Sequence, residues 1–354
     1  MSSKKVIILG AGLCGLAIGY ELKKRAVDFK ILEARDRVGG RIQTITGELG
    51  TPMEMGATWL GRKHYHLVNF LDEIGIETFQ QYNHGVSFFE TMSFIPPQKF
   101  EVPASEEPNY RIKGGTQQMI LKLKNTIGKN RIHLNQIVHR IEKTDGNIHV
   151  ITKNDVSFSG DMVISTLPPK LLVNTVSCSP KLPDLFLSIS QTTQTWMENS
   201  IKFAVEYKKP FWRQNGQSGM VFSQSSYIPE MYDHCDFEMK KFALKGFLSA
   251  AVNTFSRSER ETKTIQNLVK FFGEDAGDYE SYYEKLWENE SFTYSASPVN
   301  LFAHQNNGHE VFQKGYWDHQ FWLAGTETAP SFGGYMDGAI ESALNTTSRV
   351  EKFL

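Results

Sequence analysis

KVIILGAGLCGLAIGYELKKRAVDFKILEA, residues 5–34, decides the fold. KVIIL (5–9) is a compact, β-branched run of the kind a buried parallel strand requires. Gly10-Ala11-Gly12-Leu13-Cys14-Gly15 follows at once; Leu16 to Arg25 then reads as a helix, and FKILEA (29–34) as a second strand. A GxGxxG run carries meaning only in this strand–turn–helix–strand setting. There Gly10 permits a sharp turn, and Gly12, with no Cβ, lets a pyrophosphate approach the backbone. Gly15 lets the helix lie close on the strands. The helix N-terminus faces the negative phosphates. Glu33 ends the second strand, where a carboxylate takes both ribose hydroxyls and repels a 2′-phosphate, so FAD or NAD is favoured over NADP. Cys14 reads as a small buried filler rather than a reactive thiol.

The chain continues as EARDRVGGRIQT, 33–44. A second glycine pair and Arg41, suited to a phosphate or a flavin edge, extend the site further than an NAD domain needs. This GxGxxG…LEAxxRxGGR pattern resembles the flavin-containing amine oxidase family, the group of monoamine, polyamine and L-amino-acid oxidases. It is also similar to the related protoporphyrinogen oxidases and phytoene desaturases. The resemblance implies that Gly10, Gly12, Leu13, Cys14 and Gly15, with Glu33, Ala34, Arg35, Gly40 and Arg41, hold the ADP half of FAD. It further implies an α/β fold: a three-layer, Rossmann-like FAD-binding domain on a parallel sheet, and a second α+β substrate domain on a mixed or antiparallel sheet.

Further along, EMGATWLG (54–61) is similar to the family's backbone loop near the flavin, through Gly56, Ala57 and Thr58. Residues 64–75 read as a helix with Leu67, Phe70, Leu71 and Ile74 on its core face. Between 76 and 112 the chain is irregular, with VSFF and SFI as a hairpin and PPQKFEVPASEEP as loop. The family has a longer, partly helical substrate region here, so a smaller lid and a more open cavity are expected. GGTQQMILKLKNTIG (114–128) reads as a helix, and 131–172 as short strands that turn at Asp145-Gly146 and return through MVIST. By resemblance the backbone of Val138 meets the adenine side, and ISTLPP brings Thr166 back to the cofactor. His133, His139 and His149 have no metal-like spacing and read as structural. Residues 1–75, 114–170 and 315–354 are therefore expected to form a discontinuous FAD domain, and 76–113 with 171–314 the substrate domain.

SIKFAVEYKKPFWR, 200–213, alternates as a strand through Tyr207, with Ile201, Phe203 and Val205 on one face and Lys202, Ala204 and Glu206 on the other. From the pattern alone Lys202 is a solvated lysine on a half-buried sheet. Monoamine oxidases carry a very similar stretch whose lysine holds a water near flavin N5, and the resemblance assigns that role to Lys202. Their substrate cage uses two tyrosines. One matches Tyr335; the position of the other falls at Ser297, counted from Trp287 in LWENESFTYSASP, and the flavin-linking cysteine position falls at Ala296. FAD is thus expected to be non-covalent, and Phe292, Tyr294 or Phe302 would have to complete the cage. Trp212, Trp287 and Trp317 read as packing anchors.

FWLAGTETAPSFGGYMDGAIESAL (321–344) reads as a parallel strand followed by a helix that opens on small residues. In the family this segment wraps the ribityl–pyrophosphate region, and the positive helix end stabilises charge on the reduced ring. Gly325, Glu327, Gly334, Met336 and Ala339 are the cofactor contacts it implies here, with Tyr335 toward the substrate. KFALKGFLSAAV and ERETKTIQNLVKFFG supply a strand and a helix of the substrate domain.

The bulk of the sequence agrees. Its 354 residues carry a net charge of −1 with 22% charged residues, which leaves no basic footprint for nucleic acid and no polybasic anchor. No apolar run approaches a membrane span, and three dispersed cysteines suggest a reducing, cytoplasmic setting. The reaction implied is hydride transfer from an amine α-carbon to flavin N5, giving an imine, with molecular oxygen reoxidising FADH2 to hydrogen peroxide. Arg62, Arg111 or Arg213 would serve an amino-acid carboxylate, and Glu230 or Asp233 a polyamine. A desaturase- or porphyrinogen-oxidase-like dehydrogenase and a non-catalytic flavoprotein are the rival readings. Many relatives form homodimers; nothing in this chain points to an assembly.

Overall fold

The computed structural model of the chain describes residues 4–103, 106–297 and 299–354. Met1–Ser3, Ala104, Ser105 and Pro298, which fall in segments read above, lie outside them. β1 (Lys5–Leu9), α1 (Leu13–Lys24) and β2 (Asp28–Leu32) follow in the order the glycine turn requires. α1 starts three residues before the expected Leu16, because Gly12, in extended conformation (φ −72°, ψ −179°), is itself the N-cap. A parallel five-stranded sheet results, in the order Phe321–Leu323, Met162–Ser165, β1, β2, Ile132–His133.

Alternation along β1 divides the core. Val6 and Ile8 pack with α1, with the helix Gln117–Ile127 and with the C-terminal helix Met336–Val350. Ile7 and Leu9 pack against Ile141, Ile148 and Val150 of a four-stranded sheet on the opposite side. The layers are helices, parallel sheet and second sheet, as a strand buried on both faces demands. The expected hairpin at Asp145-Gly146 is present, with both residues at positive φ (51° and 83°).

A seven-stranded mixed sheet forms the second body, in the order 281–286, 201–207, 242–248, 230–233, 217–223, 86–90, 98–100. All its pairs are antiparallel except that between 217–223 and 86–90. One face carries Phe203, Val205, Val221, Met231 and Leu244 against Leu268, Phe271 and Phe272 of the helix Arg257–Phe272. Ser256 and Glu259 close that helix with a capping box. The other face looks toward the parallel sheet. The strand Ile201–Tyr207 is consequently buried at every residue, which corrects the picture of a half-solvated sheet.

One further difference from the sequence reading is local. The hairpin after residue 85 pairs Val86–Glu90 with Gln98–Phe100, so its second strand falls in QKF, read above as loop, and not in SFI. The C-terminal helix begins at Met336, with Tyr335 as its N-cap.

The short hairpin Thr44–Thr46/Pro52–Glu54 ties the two bodies together. Buried Glu206 accepts the amides of Leu49 and Thr51 (3.1 and 3.0 Å) and the Ser281 hydroxyl (2.9 Å). Glu54, also buried, accepts the Thr44 hydroxyl at 2.9 Å and the Thr116 amide. These bonds fix the loop that follows, Gly56–Thr58, over the face of the mixed sheet that bears Lys202.

Candidate active site

A cavity of about 1080 Å³ runs between the two bodies, from the glycine turn to the mixed sheet. Gly10, Gly12, Leu13, Cys14, Glu33, Ala34, Arg35, Gly40, Arg41, Gly56, Ala57, Thr58, Val138, Thr166, Lys202, Gly325, Gly334, Tyr335, Met336 and Ala339 all line it. Gly15 and Glu327 stand just behind its wall.

At the glycine end the backbone is shaped for an anion. A Cβ on Gly15 would fall 2.0 Å from the Gly10 carbonyl oxygen, so only glycine lets α1 approach β1. A Cβ on Gly12 would meet nothing nearer than the Gly40 Cα at 3.9 Å and would project into the cavity. No side chain caps α1 and its first turn holds no acid, so its leading amides are left for a ligand anion. Glu33 is buried; its carboxylate accepts the Ala11 amide (2.7 Å) and the Arg35 amide (2.9 Å), which holds it at the cavity edge. Arg35 pairs with Glu290 at 2.9 Å and lies 5.5 Å over the ring of Phe292. These residues fit the ADP half of a dinucleotide.

Arg41 reaches the cavity with its guanidinium held in a two-pronged ion pair by Glu327 (2.6 and 3.0 Å). Glu327 thus acts here through Arg41 instead of facing the cavity. Cys14 is buried, burial pushes its thiol up to about 12, and it sits as inert wall.

The opposite end is built on Lys202, which is 5% exposed and donates to the Gly56 carbonyl. Burial lowers its pKa from the ordinary lysine value to about 8. Sequence reasoning passed over its neighbour. Lys245, fully buried on the adjacent strand Phe242–Leu248, donates to the Thr58 hydroxyl and lies 4.3 Å over the Trp59 ring. Burial and the charge of Lys202 push Lys245 well below the usual range. Behind them the pair His234–Arg111 (2.7 Å) is also buried, and both groups are pushed toward their neutral forms. A lysine at strand spacing from another apolar-flanked lysine was the available signal for Lys245, and it reads equally well as an outward-facing charge.

Tyr335 does not meet the aromatic residues proposed to complete its cage. Phe292 sits beside Arg35, and Phe302 is 83% exposed. The rings that approach Tyr335 are His304, stacked at 5.6 Å, His64 at 5.9 Å, Trp196 at 6.0 Å and Phe332 at 6.4 Å; His304 and Trp196 stack on each other at 4.0 Å. The three arginines considered for a substrate carboxylate are elsewhere. Arg62 bonds the Tyr110 hydroxyl, Arg111 is in the buried cluster, and Arg213 is paired with Asp233 at 2.6 Å. Asp233 is thereby consumed, whereas Glu230 lines the cavity. Trp212 and Trp287 are buried anchors as read, the latter donating to the Met55 carbonyl at 2.8 Å.

A dinucleotide turn, an arginine clamp and a buried lysine on one cavity define a flavin-dependent oxidoreductase. The sequence profile of the flavin containing amine oxidoreductase family matches residues 13–93 and 85–350, and the chain belongs to that family. It is 24% identical to a probable flavin-containing monoamine oxidase A of Dictyostelium discoideum, over 98% of this chain and 97% of that one. It is also 24% identical to the human flavin-containing amine oxidase B, over 97% and 85% of the two chains. The first alignment runs over 452 positions, so this shorter chain meets it with gaps. Among solved structures, wild-type putrescine oxidase bound to putrescine superimposes with a TM-score of 0.86 at 22% identity, covering 99% of both chains. Cyclohexylamine oxidase from Brevibacterium oxydans does so with the same score at 18% identity, again over 99% of both. Membership of this flavin containing family makes a flavin the cofactor of the site. Among the described residues no helix is long and apolar enough to cross a membrane, and no cluster of acids, histidines and cysteines could hold a metal.

Proposed function

We infer that this protein is an FAD-dependent amine oxidase that converts a small amine and molecular oxygen to an imine and hydrogen peroxide, the imine then hydrolysing to a carbonyl compound. The observation that carries this is Lys202, buried on the mixed-sheet side of the cavity that also holds the dinucleotide turn, and held by the carbonyl of Gly56. The flavin supplies a two-electron acceptor for the hydride equivalent of the amine α-carbon and passes the electrons to oxygen. The chain supplies position and polarity. The amides at the start of α1 and the Arg41–Glu327 pair hold the anionic end. The start of the helix Met336–Val350 reaches the cavity at Met336 and Ala339; its positive dipole end is partly offset by the buried carboxylate of Asp337 in its first turn. Lys202, with a pKa near 8, can hold a water or shed a proton at neutral to alkaline pH.

Tyr335, with Trp196, His64 and Phe332, forms the aromatic wall along which an uncharged amine approaches. No Ser-His-Asp or Cys-His arrangement is needed, since no covalent protein intermediate forms. Because Ala296 cannot form a thioether, the FAD is non-covalent. The test is anaerobic bleaching of the flavin absorbance by amines, with peroxide appearing on readmission of air. Bound flavin that no amine reduces would overturn this reading.

A further inference from the structure

Lys202 and Lys245 reach the same loop from neighbouring strands. Lys202 stands opposite Phe247 and Lys245 opposite Ala204, so both lysines leave the sheet on one face. Lys202 donates to the Gly56 carbonyl and Lys245 to the Thr58 hydroxyl. Thr58 in turn donates to Gly56 at 3.1 Å, so the two lysine nitrogens are drawn within bonding reach of each other. Aromatic faces close the remaining sides: Lys245 lies 4.3 Å over Trp59, and Lys202 lies 4.8 Å over Phe247.

Neither lysine is bonded to a carboxylate among the described residues. The acids packed around them have other partners. Buried Glu54 accepts the Thr44 hydroxyl and the Thr116 amide. Glu230, opposite Phe247 on the following strand, accepts the Tyr232 hydroxyl at 2.7 Å. Asp233 is paired with Arg213. His234 and Arg111 bond each other behind the lysines and bring no acid.

Two ammonium groups this close and this deeply buried repel, and each has N–H groups with nothing to receive them. Removing one proton relieves both costs. As an amine, Lys245 still donates to Thr58, its second N–H lies over the Trp59 ring, and its lone pair is free to accept from Lys202. Lys202 then keeps its charge, bonded to Gly56 and to Lys245. Exposure sets the order of the two: Lys245 is fully buried, whereas Lys202 lines the cavity.

We propose that Lys245 is a positioning residue of this site: it stays uncharged and accepts a hydrogen bond from the Lys202 ammonium, so that the two lysines hold a single proton at neutral pH, on Lys202. Only the use made of Lys202 rests on the amine-oxidase reading; the shared proton belongs to the chain's own residues. Burial pushes both lysines down, Lys245 further than Lys202, which is the order such a pair requires.

The test follows both side chains by NMR in holoprotein labelled with carbon-13 at the lysine Cε. The resonances lost in Lys202→Met and in Lys245→Met assign the two groups, and titration from about pH 6 to 11 reads their protons. In the natural protein Lys245 should be uncharged at pH 7 and Lys202 should titrate at about 8. In Lys245→Met, where Lys202 loses its acceptor, its midpoint should fall by about one pH unit. Lys245→Gln, whose amide oxygen can accept the same bond, should restore most of that shift. A rise of the Lys202 midpoint in Lys245→Met would mean that Lys245 carries charge, and an unchanged midpoint that it only fills space; either overturns the proposal. If Lys245→Met does not fold, Thr58→Val, which removes the hydroxyl that orients the Lys245 amine, should lower the Lys202 midpoint in the same direction, and the absence of any shift there overturns it equally. The alkaline limb of the flavin reoxidation rate should move with the Lys202 midpoint in each variant; a fixed limb would remove Lys245 from the working of the site. If no amine bleaches the flavin, the oxidase reading falls, while the titration still decides the pair.

Discussion

Lys202 and Lys245 lie diagonally across two antiparallel strands, one donating to the Gly56 carbonyl and the other to the Thr58 hydroxyl of the same loop. Two lysines buried this deeply cost stability, and proteins keep such groups where function uses them. Lys202→Met should lower kcat or the rate of flavin reoxidation by about tenfold or more while raising stability.

The gain should depend on pH. The pKa of Lys202 is depressed to about 8 in the fold, against roughly 10.4 in the unfolded chain. Below pH 8 the full cost of burying the charge is present; between these values the unfolded state binds the extra proton, so the natural protein gains stability as pH rises. Thermal unfolding of the two holoproteins at pH 7 and 9.5 should show the advantage of Lys202→Met shrinking at the higher pH. A constant difference would show that Lys202 does not titrate in this window.

Gly12 and Gly15 should fail differently. Gly15→Ala places a methyl group 2.0 Å from the Gly10 carbonyl and should unfold or badly destabilise the protein with or without flavin. Gly12→Ala meets only Gly40 at 3.9 Å and has an allowed φ of −72°, so the chain should fold and lose FAD. Flavin absorbance per mole of protein, read beside the melting temperature, separates the two outcomes.

The Arg41–Glu327 pair should behave as one unit. Glu327 is buried but Arg41 is partly exposed, so Glu327→Gln removes the carboxylate that aligns the Arg41 guanidinium and should cost roughly 1–3 kcal/mol. Arg41→Gln should weaken FAD binding about as much as the double substitution does. Additive losses of flavin affinity in the double-mutant cycle would refute the coupling.

Trp196 should matter to turnover and Phe292 to flavin retention. Trp196 stacks with His304 and approaches Tyr335, while Phe292 lies under Arg35. Trp196→Ala should lower kcat/KM for amines by about tenfold with FAD still bound, whereas Phe292→Ala should raise the dissociation constant of FAD. The reverse pattern would remove Trp196 from the aromatic wall.

The amino-acid sequence by itself determined the dinucleotide half. Gly10, Gly12, Gly15 and Glu33 act within a span of local chain, where backbone freedom, strand periodicity and a helix end dictate geometry before any distant contact forms. Core residues such as Leu67, Phe70 and Leu71 were legible for the same reason, through helical spacing. Only the tertiary structure decided the substrate half. A strand shows which residues share a face, but not whether that face meets water or another body. From strand pattern alone Lys202 therefore reads as a solvated charge and Lys245 draws no reading, until the loop 56–58 covers their sheet. Apart from nearby Phe332, the partners of Tyr335 were hidden for a related reason: His64, Trp196 and His304 come to it from distant parts of the chain, and no periodic signal links residues whose contact is made by packing alone.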